Sequence, residues 1–201
     1  MPQKRIYVEE GIYFVTNRTF NFKKTFADKR ACELFIGILD YCRKKYKFKL
    51  YAFAIMPDHV HLLILPRGKY NISDIMHRIK GNFAVKYINQ QNHKGSVEGG
   101  GVGRQGEPLW FVDNHNIPTG EPSWFADNKH RQRIRMNAIW QKSFYDRIIR
   151  SDEQLYNTLE YINNNAVKHH LVNDPIKWPY SSYHNHCQTG KEMIDIDYIN
   201  Y

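Results

Sequence analysis

Apolar residues change their period several times along this chain, and each change marks an element. The stretch "GIYFVTNRT" (11–19) follows a glycine and is rich in β-branched and aromatic residues, which predicts a first strand. Asp28 is placed to cap a helix in which Ala31, Leu34, Phe35, Ile38 and Cys42 recur at three- and four-residue steps, until the basic run "RKKYKFK" closes it. "KLYAFAIMP" and "HVHLLILP" read as two strands of a hairpin joined through Met56, Pro57 and Asp58. Ser73 opens a second helix with Ile75, Ile79, Phe83 and Tyr87 on one face and Arg78, Lys80 and Lys86 elsewhere. "SFYDRII" (143–149) predicts a fourth strand, and Ser151 with Gln154 forms a capping-box signature for a third helix. The order is βαββαβ followed by a helix.

Two positions break the apolar logic of the second hairpin strand. A lone histidine in such a run is ordinarily a satisfied core residue, but His59 and His61 stand at i and i+2. Alternate residues of a strand share a face, so both imidazoles point one way, about 7 Å apart along the strand, while Val60, Leu62 and Ile64 point the other. That arrangement offers two nitrogens to one ion. On the third helix, Leu155, Leu159, Ile162 and Ala166 form the predicted buried stripe, and Tyr161, Asn165 and Lys168 lie on its flank, positioned over whatever the helix covers. Tyr156 falls about 140° from Tyr161 around the helix, on another face.

Composition narrows the partners. The chain has 201 residues, 42% hydrophobic, enough for one domain with a real core, here with insertions. Lys and Arg number 29 against 20 Asp and Glu, a net charge of +9 that points to a polyanion, with nucleic acid foremost. Cys32, Cys42 and Cys187 form no CxxC pair and no even set, so a disulfide framework is not suggested and a reducing cytoplasm fits. No apolar N-terminal segment or membrane-length run occurs. Six of the twelve glycines fall between Gly95 and Gly106, within an insertion at about 94–128 that lacks helical or strand period. It also lacks a phosphate-cradling glycine motif, which argues against a nucleotide cofactor. From Lys129 to Arg150 there are seven Lys or Arg and one acid, interleaved with Trp140, Phe144 and Tyr145, a composition suited to phosphate contact and base stacking.

Taken jointly, the motifs "MPDHVHLLI", Trp140-Gln141, Arg150-Ser-Asp-Glu, the helix bearing Tyr161 and Asn165, and "WPYSSY" resemble one family. The first is similar to the His-hydrophobic-His signature of HUH single-strand nucleases, and the spacing from about residue 6 to 184 resembles the REP-associated tyrosine transposases, relatives of the single-tyrosine insertion-sequence transposases. The resemblance implies an α+β fold, a ferredoxin-like βαββαβ core with an antiparallel sheet, and a nucleophilic tyrosine on the last helix. It further implies that His59, His61 and the amide oxygen of Asn165 hold Mg²⁺ or Mn²⁺, that Tyr161 attacks a DNA phosphorus to leave a 5′-phosphotyrosine and a free 3′-hydroxyl, and that a second 3′-hydroxyl can reverse the attack. Lys168 is the candidate cation that favours the phenolate. The family commonly has proline where Ala166 stands, so here the helix is expected to run on.

Single-stranded or hairpin DNA is the expected substrate, with Arg18, Lys23, Lys24, Lys44, Lys45, Arg133 and Arg135 as candidate phosphate contacts and a monomer favoured over a dimer. The alternative function is a non-catalytic hairpin or single-strand binding protein. A further alternative joins His59 and His61 to His184, His186 or Cys187 in a zinc site. The tail from about 176 to 201 ends in "MIDIDYIN", whose alternation suits either an added edge strand or a closure over the site.

Overall fold

Six residues, Tyr13–Arg18, form β1, and a computed structural model that describes residues 7–94 and 139–199 places it at the middle of a four-stranded sheet. β2 (Lys49–Met56), β3 (His59–Leu65) and β4 (Tyr145–Ile148) complete the order β2-β3-β1-β4, with every neighbouring pair antiparallel. Helices α1 (Lys29–Tyr46) and α2 (Ile72–Lys94) supply the two crossovers of a ferredoxin-like core, and α3 (Asp152–Asn163) follows the last strand. The insertion at about 94–128 lies, beyond its first residue, outside the described residues, as do Arg133 and Arg135.

Both faces of the sheet are covered, which explains why β2 and β3 read as nearly continuous apolar runs. Val15, Phe53, Ile55, Val60, Leu62 and Ile64 face α1 and α2, where Phe35, Leu39, Ile79 and Phe83 close the larger core around Trp140. Phe14, Ala52, Ala54, Leu63 and Leu65 face the opposite way, against Leu155 and Ile162 of α3. A register irregularity between Leu50 and Ala52 puts Tyr51 and Ala52 together in this second cluster. Alternation along β3 therefore sends His59 and His61 to the α3 side of the sheet, as the i, i+2 spacing predicts.

Capping chemistry agrees with the sequence in two helices and corrects it in one. The Asp28 carboxylate accepts from the Arg30 N–H (2.9 Å), and the Ser151 hydroxyl accepts from the Gln154 N–H (3.2 Å) while the Gln154 amide oxygen accepts from the Arg150 N–H (3.1 Å). For α2 the cap is Asn71, not Ser73: the Asn71 side chain accepts from the Asp74 N–H (3.0 Å), the Asp74 carboxylate accepts from the Asn71 N–H (3.2 Å), and Ser73 sits in the first turn. Lys80 is a core residue. Its ammonium donates to the Gln141 carbonyl (2.9 Å) and the Ser143 carbonyl (3.3 Å), fastening α2 to the segment before β4.

The last helix does run through Ala166 to Lys168, but not without a break. It is interrupted at Asn164 (φ −92°, ψ 4°) and resumes as the short α4 (Asn165–Lys168). The Asn164 side chain donates to the Glu160 carbonyl (3.1 Å), the same acceptor its backbone N–H uses (2.9 Å), so a side-chain amide competes with the helical ladder at the break. Leu155, Ile162 and Ala166 of the predicted stripe are buried, whereas Leu159 is half-buried and Thr158 takes a buried place.

Among the described residues the tail forms neither an edge strand over 193–199 nor a closure over the histidines. Ile55 N–H donates to the Tyr180 carbonyl and Ser182 N–H to the Phe53 carbonyl (2.9 Å each), so residues 180–182 shield the β2 edge. Further on, Asp197 accepts from the Leu50 N–H and the Arg43 guanidinium (3.0 Å each) at the opposite end of the sheet. Among the described residues no helix is long and apolar enough to cross a membrane. Because α3 carries the tyrosine, its cap is a test of the architecture: Ser151→Ala should lower stability by about 1 kcal/mol in urea denaturation, and an unchanged midpoint would contradict the capping geometry.

Candidate active site

The imidazoles of His59 and His61 meet edge to face, with ring centroids 4.7 Å apart and Nε2 atoms 3.1 Å apart. Each ring is also held from behind. The Asp58 carboxylate lies 2.6 Å from His59 Nδ1, and the Thr16 hydroxyl lies 2.9 Å from His61 Nδ1. Thr16 is there because β1 pairs with β3 in the register that sets it directly across from His61. Phe14, two residues earlier on the same face, stacks on the His61 ring at 5.3 Å and 21°.

α3 brings Tyr161 to this pair. Its ring stands edge-on to His61 at 5.2 Å and to Phe14 at 5.8 Å, with the Lys168 ammonium 5.0 Å from its centre. Tyr156, by contrast, is 56% exposed, consistent with its place on another face of the helix. Asn165 is fully buried, and neither its amide oxygen nor its amide nitrogen has a hydrogen-bond partner. A buried amide without a partner costs stability unless something else ligates it. Two imidazole nitrogens aimed at each other and an orphaned amide oxygen form a donor set that suits a divalent cation, so the residues present fit such an ion. Among the described residues no three His, Cys, Asp or Glu gather as a metal centre.

Burial disfavours the charged form of both rings. Burial lowers His59 below its ordinary value even though Asp58 opposes the shift. Burial pushes His61 down to about 3, and the nearby charges of His59, His169 and Arg18 act in the same direction.

Of the predicted phosphate contacts, Arg18, Lys23 and Lys24 lie at the histidine end. Arg18 is opposite His59 in the strand register, and the loop after it is tied to the Pro57-Asp58 turn by the Thr19 N–H to Asp58 carbonyl and Phe26 N–H to Pro57 carbonyl bonds (2.9 Å each). Lys44 and Lys45 are not brought to the site. They sit near the C-terminus of α1, roughly 20 Å away along the strands, where Lys44 pairs with Asp40 at 2.6 Å and Lys45 donates to the Tyr41 hydroxyl at 2.9 Å. The tail histidines are engaged elsewhere as well. His184 Nδ1 bonds Thr189, while His186 donates from Nε2 to the Tyr51 carbonyl and accepts at Nδ1 from Asn163, so the structure does not assemble them with His59 and His61.

Four neighbours of the site escaped the sequence reading: Asp58, Thr16, Phe14 and His169, whose ring is 5.4 Å from that of His59. Asp58 could have been found as an acid adjacent to a paired histidine. Thr16 and Phe14 could not, because their role depends on strand register. The lowered imidazole values carry a pH signature. The folded rings resist protonation below the ordinary value of 6.5, so stability present above that pH is lost as it falls toward about 3. In chelator-treated protein, His61→Gln should therefore lose stability less steeply than wild type over this range, by up to about 1.4 kcal/mol per pH unit; parallel curves from urea melts would contradict the buried-neutral state.

Comparisons with known proteins agree with this geometry. The family model described as "Transposase IS200 like" matches residues 10–101, which include the histidine strand. The chain is 30% identical over 182 residues to a REP-associated tyrosine transposase of Haemophilus influenzae, covering 90% of this chain and 84% of that one. It is 21% identical over 193 residues to the REP-associated tyrosine transposase of Escherichia coli K12, covering 96% and 88%. In fold it is similar, with a TM-score of 0.62 and 19% identity over 100% of this chain and 92% of the other, to a REP-associated tyrosine transposase solved bound to a REP hairpin. With 30% identity over 90% of its length to a member, the chain belongs to the REP-associated tyrosine transposases, enzymes that cleave and rejoin DNA.

Proposed function

We propose that this protein is a metal-dependent single-strand DNA endonuclease and strand transferase that acts on hairpin or palindromic DNA through a 5′-phosphotyrosine, with Tyr161 as nucleophile. The observation that carries the reading is the packing of the Tyr161 ring against His61, beside His59 and with Lys168 over its face, while Asn165, four residues on, is buried with its amide unpartnered. His59, His61 and Asn165 would hold Mg²⁺ or Mn²⁺, which when bound supplies Lewis-acid polarisation of the scissile phosphate.

The chain's own groups account for the remaining steps. Lys168 places its ammonium 5.0 Å from the centre of the Tyr161 ring, where it adds positive charge for an incoming phosphate. The Tyr161 oxygen attacks phosphorus in line; the bond from phosphorus to the 3′-oxygen breaks, that oxygen leaves with a proton as a 3′-hydroxyl, and the 5′ side stays on the tyrosine. Because one phosphodiester bond has replaced another, an incoming 3′-hydroxyl can reverse the step without a nucleotide cofactor. Arg18, Lys23 and Lys24 draw the phosphate backbone to this end of the sheet. A hairpin partner is supported by the REP hairpin bound to the structural relative and by the +9 net charge. Since Tyr161 already lies on the histidines of its own chain, we take the protein to act as a monomer with its tyrosine in cis.

The test is a labelled hairpin with single-stranded flanks, incubated with Mg²⁺ or Mn²⁺ and resolved for cleavage and for a covalent adduct. Wild type should give both, Tyr156→Phe should match it, and Tyr161→Phe should lose the adduct and at least about 10³-fold in cleavage. Equal cleavage by wild type and Tyr161→Phe would overturn the nucleophile. Tight binding without any cleavage in either metal would favour a binding protein instead.

A further inference from the structure

The contacts around the imidazole pair form a single file of four groups, Asp58, His59, His61 and Thr16, linked at 2.6, 3.1 and 2.9 Å. Each link needs one proton, and the chemistry of the end groups fixes where each proton lies. A carboxylate only accepts, so His59 donates from Nδ1 and, buried from water as an uncharged ring, keeps a lone pair on Nε2. The proton between the two Nε2 atoms therefore belongs to His61. An equally buried, uncharged His61 with Nε2–H has its lone pair on Nδ1, where the Thr16 hydroxyl donates. Every ring nitrogen of the buried pair is then satisfied without a cation.

A cation shared by the two rings needs a lone pair on both Nε2 atoms. His59 already presents one; His61 must give up its Nε2 proton and take one at Nδ1 through water, with no net change in charge. Thr16 must then turn from donor to acceptor, which a hydroxyl does by rotating about one bond. An amide N–H or a carboxylate in that position could serve one of the two states but not both.

We propose that Asp58 and Thr16 are positioning residues for the cation site: Asp58 holds His59 permanently in the ligating tautomer, and Thr16 permits His61 to exchange its bond to His59 for a bond to the ion. The stack of Phe14 on His61 keeps the ring in one plane through this exchange. Asp58 acts on ligand basicity as well as orientation, since it carries charge, whereas Thr16 acts through its two hydrogen-bonding states alone. This inference rests on the cation site of the function proposed above, yet it is read from ring protons rather than from DNA cleavage.

The experiment is two-bond ¹H–¹⁵N correlation NMR on the full chain with ¹⁵N-labelled histidine, first in chelator and then with saturating Mg²⁺. Chelator spectra should show Nδ1–H on His59 and Nε2–H on His61; Mg²⁺ should move His61 to Nδ1–H and leave the His59 tautomer unchanged. Calorimetry should show Mg²⁺ affinity lowered about 10- to 100-fold in both Asp58→Ala and Asp58→Asn, since an amide is uncharged and can also donate, and about 10-fold in Thr16→Val, restored in large part by Thr16→Ser. Nδ1–H on His61 in chelator, an unmoved His61 on adding Mg²⁺, or wild-type affinity in Thr16→Val would overturn the Thr16 role. An unchanged His59 tautomer and affinity in Asp58→Ala would overturn the Asp58 role. A protein that shows these tautomers but fails to cleave DNA would refute the proposed function and leave the inference standing.

Discussion

Burying two imidazoles side by side on one strand is the constraint from which the rest of the structure follows. His59 and His61 are 5% and 3% exposed, so their four ring nitrogens cannot rely on water and must find partners within the protein. The hairpin turn supplies Asp58, the neighbouring strand supplies Thr16, and the rings supply each other. Each partner depends on a feature of the fold. Asp58 requires the two-residue turn between β2 and β3, and Thr16 requires β1 rather than β2 to lie on that side of β3 in this register. A shift of β1 by one residue would turn Thr16 away and put Val15 or Asn17 opposite His61 in its place.

The same constraint explains why α3 and α4 lie where they do. A sheet face that carries histidines still presents Phe14, Leu63 and Leu65 to be covered, and Leu155 and Ile162 cover them. Covering that face brings Tyr161 onto the His61 ring. The break at Asn164 then lets α4 bury Asn165 with its amide unbonded while Lys168 returns over the phenol. Hydrophobic burial thus positions polar groups: the apolar contacts of the helix fix its height and rotation, and the tyrosine, the amide and the lysine follow from helical geometry.

Much of this was legible in the residues. Runs of β-branched and aromatic residues, three- and four-residue apolar steps, the capping box at Ser151 and the i, i+2 histidines depend on neighbours in sequence, and they yielded the element order, the face of the histidine pair and the helix that bears Tyr161. The start of α2 was misread because Asn71 and Ser73 are both good caps, and the reciprocal bond to Asp74 decides between them. The break at Asn164 was missed because no proline or glycine marks it, and the side-chain bond to the Glu160 carbonyl one turn back that accompanies it is not revealed by composition. Thr16 and Phe14 depend on strand pairing across more than forty residues of sequence. Lys44 and Lys45 illustrate the opposite error: a basic run signals charge but not its location, and theirs is at the far end of the sheet.

The central claim is that one pocket gathers a cation's ligands and the nucleophile. Anomalous diffraction from crystals soaked in Mn²⁺ tests it most directly. The account predicts a single strong manganese peak within bonding distance of both Nε2 atoms and the Asn165 amide oxygen, with the Tyr161 side chain of the same chain beside it. A peak at other residues, or one at the histidines with Tyr161 turned away to solvent, would contradict it.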